Sequence, residues 1–395
     1  MAAIESVLLE RTEQGVPTVD VIDNGDHFGA LRGEWSDLLQ NSSSHNPFLS
    51  WEWLHAWWTH LGESRRLHIL TVREDDGRLV GVAPLCGSRG RWPWLSRLEF
   101  LATGWAGSDY LDLIVRRGYE DDCADAFTGW LRSRGQTVRF DHLRPGAFAA
   151  TLGDQLISSG WGREAARSGI CPFATLQGHS WESYIETLRP SQRTRCRRYL
   201  NTLRHKFSVS FVRANMESER QEVLSALMGF HEQRWTPRGG STAFQTPALR
   251  SFHHDVTSRA LQAGWLRLFS LRVNDEMAAV TYCFQANGRF YLYQHGFNPR
   301  FWQYSVGAVV LGLTIRSAIE EGASEFDMLY GEEPYKALWA SETRQLDRIE
   351  LFPPDLRGRL HRRTVDAERS MRMLARRIFL RKPCDLNVPP AGAAS

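Results

Sequence analysis

An ordered set of sequence patterns occurs twice in this chain and limits the folds it can adopt. Leu67–Val72 and Leu79–Leu85 are rich in residues that favour β-strands, and they flank an acidic turn at Glu74–Gly77. Trp265–Val273 and Met277–Phe284 flank a similar turn about 200 positions later. Each pattern predicts a β-hairpin.

The patterns that follow the two hairpins also agree. Each hairpin precedes a strand, a helical segment and a closing strand that contains Phe-Asp. In the first copy these are Arg97–Leu101, then Asp109–Val115, a helix from about Glu120 to Arg134, and Thr137–Leu143. In the second copy they are Phe290–Gly296, a helix from about Ser305 to Glu321, and Ser324–Leu329. The series predicts a duplicated α+β unit in which the last strand returns beside the sheet.

The length of 395 residues suits two domains. We predict an N-terminal unit at residues 25–160 and a C-terminal unit at residues 170–355. The remaining residues 356–395 are Arg-rich and then Pro-rich, and we predict a basic helix followed by a disordered tail.

The composition argues against several classes of protein. The six cysteines lie far apart without a CxxC pair, which favours reduced thiols in a cytoplasmic protein and no metal site. The N-terminus has no signal-peptide pattern, and the longest apolar stretch, Val306–Ile319, is too short and interrupted to span a bilayer. The net charge of +3 creates no general attraction for a polyanion, so nucleic acid is not the expected partner.

One candidate site lies where the second copy passes from strand to helix. The strand ends near His295, and Ser305 precedes the helix, with Gly307 in its first turn. Free N–H groups at a helix start and the helix dipole attract anions, and a coenzyme A pyrophosphate would suit them. The alternative is an ordinary capped helix whose glycine packs against a neighbour.

A second candidate site follows the last strand of the second copy. Asp327, Glu332, Tyr335 and Lys336 are ionisable side chains within ten positions. Acyl transfer to an amine requires removal of a proton, stabilisation of an oxyanion and departure of a thiolate, and a carboxylate and a tyrosine could serve the first and last needs. The alternative is a solvated loop in which Asp327 fixes its own turn.

A third candidate is the basic segment Arg189–Lys206, which holds seven Lys or Arg residues and no acidic residue. We assign Arg195, Arg198 and Tyr199 to substrate binding. Contact with an anionic substrate, with coenzyme phosphates or with nucleic acid would each explain the charge, as would a solvated helix packed on the core.

Several of these segments together resemble the bacterial BioF-like/CelD group of the GNAT acetyltransferase superfamily. The resembling segments are Asn46-Pro-Phe48, Trp51-Glu-Trp53, Val80–Leu85, Ser108–Leu113, the basic helix, and Phe326–Lys336. The resemblance covers about Trp35 to Phe352. It implies tandem GNAT-like units, each a mixed, mainly antiparallel sheet flanked by helices, in an arrangement related to the FemABX aminoacyltransferases.

The resemblance also implies a donor site. Acetyl-CoA or another acyl-CoA would rest its pyrophosphate on Tyr304, Ser305, Val306, Gly307 and Ala308, next to a strand that carries Tyr293 and His295. The superfamily pattern has more glycine at this turn than this chain has. In the first unit the matching turn is acidic, Glu120-Asp-Asp122, and would repel a pyrophosphate, so we expect coenzyme only in the second unit.

These features predict an acyl-CoA-dependent N- or O-acyltransferase, most simply an acetyltransferase. Its acceptor would be a small molecule or glycan precursor of sugar-derived or cell-envelope origin. The alternatives are a FemABX-like transferase that uses aminoacyl-tRNA, and a catalytically degenerate assembly factor for polysaccharide production.

Overall fold

A computed structural model describes residues 18–88, 96–104, 106–235, 244–365 and 367. The predicted disordered tail lies outside the described residues. A helix at residues 356–365 begins where the predicted basic C-terminal helix begins. None of the helices in these ranges is both long and apolar enough to cross a membrane.

Strands and helices alternate along the described part of the chain. The strands are β1 (Val19–Ile22), β2 (Arg66–Arg73), β3 (Leu79–Ser88), β4 (Arg97–Phe100), β5 (Ile114–Val115), β6 (Thr137–Leu143), β7 (Gly162–Thr175), β8 (Val209–Arg213), β9 (Leu266–Val273), β10 (Glu276–Ala286), β11 (Arg289–Phe297), β12 (Glu325–Asp327) and β13 (Glu342–Phe352). The helices are α1 (Gly25–Ala30), α2 (Arg32–Gln40), α3 (Trp51–Leu61), α4 (Glu120–Arg134), α5 (Phe148–Ser158), α6 (Trp181–Thr187), α7 (Pro190–Lys206), α8 (Glu217–Trp235), α9 (Pro247–Gln262) and α10 (Val306–Glu320). Short 3₁₀ helices lie at Pro47–Leu49, Pro299–Tyr304 and Lys336–Leu338.

The predicted repeat is present in the structure. Hairpin β2–β3 is followed by β4, α4 and β6, and hairpin β9–β10 is followed by β11, α10 and β12. In both copies the closing strand pairs in parallel with the strand before the helix: β6 with β4, and β12 with β11. Most other strand pairs are antiparallel. The predicted α+β class with mixed, mainly antiparallel sheets is therefore confirmed.

The two units form one continuous sheet because they exchange strands. The order is β1-β2-β3-β4-β6-β13-β7-β12-β11-β10-β9-β8, with β5 paired to β3. β7, which follows the first unit in sequence, pairs with β12 of the second. β13, at the end of the second unit, pairs with β6 of the first, and β7 and β13 pair with each other along their length. The predicted unit boundaries thus fall within a shared sheet.

The tryptophan-rich helix α3 joins the two units. It begins after Ser50, whose hydroxyl accepts a hydrogen bond from the N–H of Trp53. The Trp53 ring is fully buried and packs edge-on against Phe284 and Tyr293 of the second unit. Its indole N–H donates to Ser108 of the first unit at 2.9 Å. This helix therefore fixes the position of Tyr293, which lies in the site described next.

Candidate functional site

The strands β11 and β12 diverge and open a cavity. They pair only from Arg289–Tyr291 to Glu325–Asp327. β12 then ends, while β11 continues to Phe297. The gap leads into a cavity of about 330 Å³, which we call the central cavity. Its lining comes from both units: Ala106, Gly107, Asp109, His142, Leu292, Tyr293, Gln294, His295, Met328, Leu329, Tyr330, Glu333, Tyr335 and Lys336.

A β-bulge lies at the mouth of this gap. Tyr282 pairs with Gln294 and Cys283 pairs with Leu292, so Tyr293 is an extra residue on β11. A bulge bends its strand and removes one residue from the ladder, and bulges are common beside active sites. The Tyr293 hydroxyl donates to the carbonyl of Ala106 at 2.6 Å, which ties the bulge to the first unit.

His142 and Asp109 form a hydrogen-bonded pair on the wall of the central cavity. His142 Nδ1 lies 2.7 Å from Asp109 Oδ1. The other carboxylate oxygen of Asp109 accepts a hydrogen bond from the N–H of Tyr330 at 2.8 Å. Asp109 is only 2% exposed, whereas His142 is partly exposed. The carboxylate therefore holds the imidazole in one orientation and selects its tautomer.

Asp109 also changes the proton affinity of the imidazole. Burial alone would lower the pKa of His142, but the hydrogen bond and the charge of Asp109 outweigh burial and raise it. Asp141 raises the pKa of His142 further, and Arg139 opposes this. A histidine held in this way can accept a proton from a substrate above its raised pKa, where the imidazole is neutral.

Two residues that line the central cavity have strained backbone angles. His142 and Leu329 have positive φ angles of 57° and 56°. Such angles are unfavourable for residues with a side chain and persist where the surroundings enforce them, often at functional sites.

The structure gives Asp327 a different environment from that of a free catalytic base. Its side chain is fully buried, and it accepts hydrogen bonds from Tyr110 (2.6 Å), Arg344 (2.8 Å) and the N–H of Leu329 (2.8 Å). Burial, the largest influence, raises the pKa of Asp327 to about 6, although Tyr110 and Arg344 oppose the rise. These contacts occupy both oxygens, so Asp327 joins the two units and fixes its own turn.

The loop after β12 holds the other predicted catalytic residues. Lys336 is buried, and its ammonium group donates to the carbonyls of Leu329 (3.2 Å) and Tyr330 (2.7 Å) and pairs with Glu333 at 3.0 Å. Lys336 thus anchors the loop, and Glu333 lines the cavity.

Of the other two predicted catalytic residues, one reaches the central cavity. The Tyr335 ring lies on the cavity wall, 4.6 Å from the ring of His295. Glu332 is exposed and is not part of the cavity lining, whereas its neighbour Glu333 lines the cavity.

The helix start at Ser305 differs from the predicted cap. The side chain of Ser305 makes no capping hydrogen bond with α10. Instead it hydrogen-bonds to Tyr199, and this bond is the main reason why the pKa of Tyr199 is lowered. A Cβ atom at Gly307 would lie 3.0 Å from the Phe297 ring, so this glycine allows α10 to pack on β11. Tyr304, next to Ser305, has the ammonium group of Lys206 5.6 Å from its ring centroid.

Four of the predicted substrate and cofactor residues line a second cavity, between α7 and α10: Arg195, Tyr199, Ser305 and Ala308. We call it the helix cavity; its volume is about 210 Å³. It is lined by Trp181, Gln192, Arg195, Cys196, Tyr199, Leu200, Ser305, Ala308, Val309, Gly312, Leu313, Leu338 and Trp339. Arg195 and Tyr199 therefore lie beside Ser305 and Ala308. Arg198, Val306 and Gly307 do not line this cavity: the Arg198 guanidinium lies over the Tyr199 ring, and Val306 is buried against the sheet.

Sequence reasoning missed His142 and Asp109. Both lie in segments that were identified, Thr137–Leu143 and Asp109–Val115, but in the unit that was expected to lack coenzyme. The signal available was a histidine directly after Phe-Asp, at the end of a closing strand. Within the described ranges, no group of three or more His, Cys, Asp or Glu side chains could hold a metal ion.

Comparisons with known proteins agree with this geometry. Residues 190–337 match the family model described as an acetyltransferase (GNAT) domain. No curated protein matches the chain. The solved structure of FemX aligns over 84% of this chain and 97% of its own, with a TM-score of 0.59 and 11% identity.

Two further solved structures share the fold. A conserved protein of unknown function from Bacteroides thetaiotaomicron aligns over 85% of this chain and 99% of its own (TM-score 0.55, 12% identity). L-PGS from Bacillus licheniformis aligns over 87% and 95% (TM-score 0.50, 12% identity). At these identities the likeness concerns the fold. The domain match at residues 190–337 confirms the prediction of an acyltransferase, and the shared fold agrees with the predicted tandem arrangement.

Proposed function

We propose that this protein transfers an acyl group, most simply acetyl, from a coenzyme A thioester to an amine or hydroxyl by direct attack in a ternary complex. The observation that carries the proposal is the His142–Asp109 pair on the wall of the cavity into which β11 and β12 open. The central cavity is thus surrounded by a candidate base, a gap that could admit the donor, and a bulged strand edge.

The donor would occupy the gap between β11 and β12. Along the described residues, β11 has no β12 partner beyond Tyr291, so the edge from Leu292 to Gln294 faces the gap and is not paired with β12. Backbone N–H groups at an unpaired strand edge can stabilise the negative charge that develops on the thioester oxygen. The pyrophosphate would rest at the start of α10, on the N–H groups of Val306 and Gly307, with Tyr304, Ser305 and Ala308 beside them; the N–H of Ala308 itself donates to the carbonyl of Ser305 at 2.9 Å.

His142 is our candidate for the base. The acceptor nitrogen attacks the thioester carbon and forms the new C–N bond, and His142 accepts the proton that the nitrogen loses. The C–S bond then breaks, and the leaving thiolate takes a proton, for which Tyr335 is our candidate donor. Asp327 and Lys336 act as positioning residues, since their polar atoms hold the loop and the unit interface. A sugar-derived or cell-envelope acceptor is proposed from the sequence resemblance.

The test combines donor binding with catalysis. Acetyl-CoA is expected to raise the melting temperature of the protein by binding its native state. His142→Gln is expected to keep this shift but to lower transfer by about 10²–10⁴-fold, the usual contribution of a positioned base. A His142→Gln enzyme that transfers acetyl at the wild-type rate would show that the base lies elsewhere.

A second candidate, transfer from aminoacyl-tRNA, is favoured by one observation. The seven Arg and Lys residues of Arg189–Lys206 form no ion pair with a carboxylate in the described part of the chain, and most of them are exposed. Unpaired cations on one helix can contact phosphates. Under this candidate α7 would bind the tRNA, and the aminoacyl end would lie in the central cavity.

A further inference from the structure

The helix cavity has features that the proposed transfer reaction does not use. Most of its lining is apolar or aromatic, including Trp181, Leu200 and Trp339. It runs along the side of α10 that carries Ser305, Ala308 and Gly312, so it begins at the helix start. An apolar cavity that opens beside an anion-binding helix start suits a flat ring attached to a phosphate.

A buried amide adds polar specificity to this apolar lining. Gln192 is only 5% exposed. Its side-chain nitrogen donates to the sulfur of Cys196 at 3.7 Å, and no hydrogen bond to its amide oxygen occurs among the described residues. Buried amides normally have partners for both groups. Glutamine pairs well with the edge of adenine, which presents a donor and an acceptor side by side. An acyl chain would leave the amide unsatisfied, so the cavity favours adenine over a lipid.

Positive charge lies at the rim of the same cavity. Arg195 lines it, is exposed, and has no carboxylate partner within the described ranges. A guanidinium group can bind a phosphate through two parallel hydrogen bonds. Arg195 is therefore suited to a phosphate on the ribose that carries the ring.

The helix cavity and the central cavity share one wall. Tyr335 and Lys336 line the central cavity, and Leu338 and Trp339, in the same turn, line the helix cavity. A ligand that passes the start of α10 can therefore reach both spaces. Its ring would lie in the helix cavity and its reactive end in the central cavity.

We propose that the helix cavity binds the adenine of the acyl-CoA donor, with the Gln192 amide on the adenine edge and Arg195 on the 3′-phosphate. This inference rests on the proposed function and deepens it. It assigns α7 to donor selection: the enzyme distinguishes thioesters that carry the nucleotide from those on pantetheine alone.

The test measures binding by calorimetry with four probes: acetyl-CoA, acetyl-dephospho-CoA, adenosine 3′,5′-bisphosphate and S-acetyl-pantetheine. Gln192→Leu, which keeps the shape and removes the amide, is expected to weaken binding of the three adenine-containing probes by about tenfold, the effect of one hydrogen-bonding group. Binding of S-acetyl-pantetheine is expected to stay unchanged. Arg195→Gln is expected to remove the preference for acetyl-CoA over acetyl-dephospho-CoA.

The control is Arg316→Gln, the same change at a partly exposed position of α10 that pairs with Glu320 and lines neither cavity. Wild-type affinity of both cavity variants for acetyl-CoA would overturn the adenine assignment and leave the donor assignment intact. Equal loss for acetyl-pantetheine and acetyl-CoA would also overturn it, since it would indicate general damage. A wild-type protein that binds no acetyl-CoA would instead refute the proposed function itself.

Discussion

Replacing Asp109 with Asn tests whether His142 acts as the base, because the change removes a charge and keeps the shape. Asp109 is nearly fully buried, and its carboxylate lies 2.7 Å from His142 Nδ1. In the wild type this contact outweighs burial and raises the pKa of His142. The neutral, proton-accepting imidazole is then fully present only above that raised pKa. We therefore expect kcat/KM to rise with pH through a pKa above 6.5, the ordinary value for His.

In Asp109→Asn the main influences that raise the pKa of His142 are absent, and burial, which lowers it, remains. A neighbouring charge within hydrogen-bond distance commonly moves a pKa by one to three units. The rise of kcat/KM with pH, which we call the acid limb, should therefore move to lower pH by about one unit or more. The plateau rate should fall by about 10²–10⁴-fold, because the imidazole loses its fixed tautomer. A residue with only a structural role would lower the rate without moving the limb.

The assay follows release of the free thiol from acetyl-CoA between pH 5 and 9, with the titration of the acceptor amine determined separately. The matched control is Asp141→Asn. Asp141 acts on the His142 imidazole through charge alone and pairs with Arg139, so its removal should shift the limb less. Circular dichroism and melting temperature report folding. If a folded Asp109→Asn enzyme showed the rise of kcat/KM at the same pH as the wild type, the assignment of His142 and Asp109 as a base and its positioning residue would be refuted.

Two further changes test the unit interface and the basic helix. Arg344→Met leaves Asp327 buried without its cation and should lower the free energy of unfolding by about 3–5 kcal/mol. Burial raises the pKa of Asp327 to about 6 and Arg344 opposes the rise, so the deficit should be largest above pH 6, where the carboxylate is charged, and smaller in acid. Urea unfolding of this variant and of Arg316→Met measures it, and a loss independent of pH would contradict the assignment. If aminoacyl-tRNA is the donor, filter binding should detect tRNA binding that weakens steeply between 50 and 200 mM salt; under the acyl-CoA proposal we expect no such binding.

The repeated unit could be predicted from the sequence, whereas the strand exchange could not. Hairpins, a helix and a closing strand leave local patterns, and the two copies of that series reinforce each other. The exchange depends on which distant strand β7 and β13 pair with, and no local pattern encodes the choice. β7 (Gly162–Thr175) also lies in a Gly- and Ser-containing stretch, where small and charged residues give little strand signal.

The sequence predicted a candidate site at the start of α10 and after β12, but it did not indicate all the residues that line the cavities there. The donor side was predicted from a strand-to-helix transition with Ser305 and Gly307, because free N–H groups at a helix start attract anions, and it stays a prediction. Asp327 behaved as the alternative interpretation expected, since its carboxylate accepts a hydrogen bond from the N–H of Leu329 two residues on. The pair of His142 and Asp109 brings together positions on either side of α4, and their proximity arises only from tertiary packing.

The duplication accounts for a division of labour between the units under the proposed function. In the first unit, α4 begins with Glu120, Asp121 and Asp122, and the Glu120 carboxylate accepts a hydrogen bond from the N–H of Gly118. The helix dipole favours these three carboxylates at the helix start, and their negative charge repels a pyrophosphate. The first unit supplies His142 at the end of β6, beside the gap that the second unit opens for the donor. Because β7 and β13 exchange between the units, the base and the donor gap are held in one continuous sheet. Neither unit alone contains both the candidate base and the donor gap. The single proposed active site therefore depends on the exchange of strands.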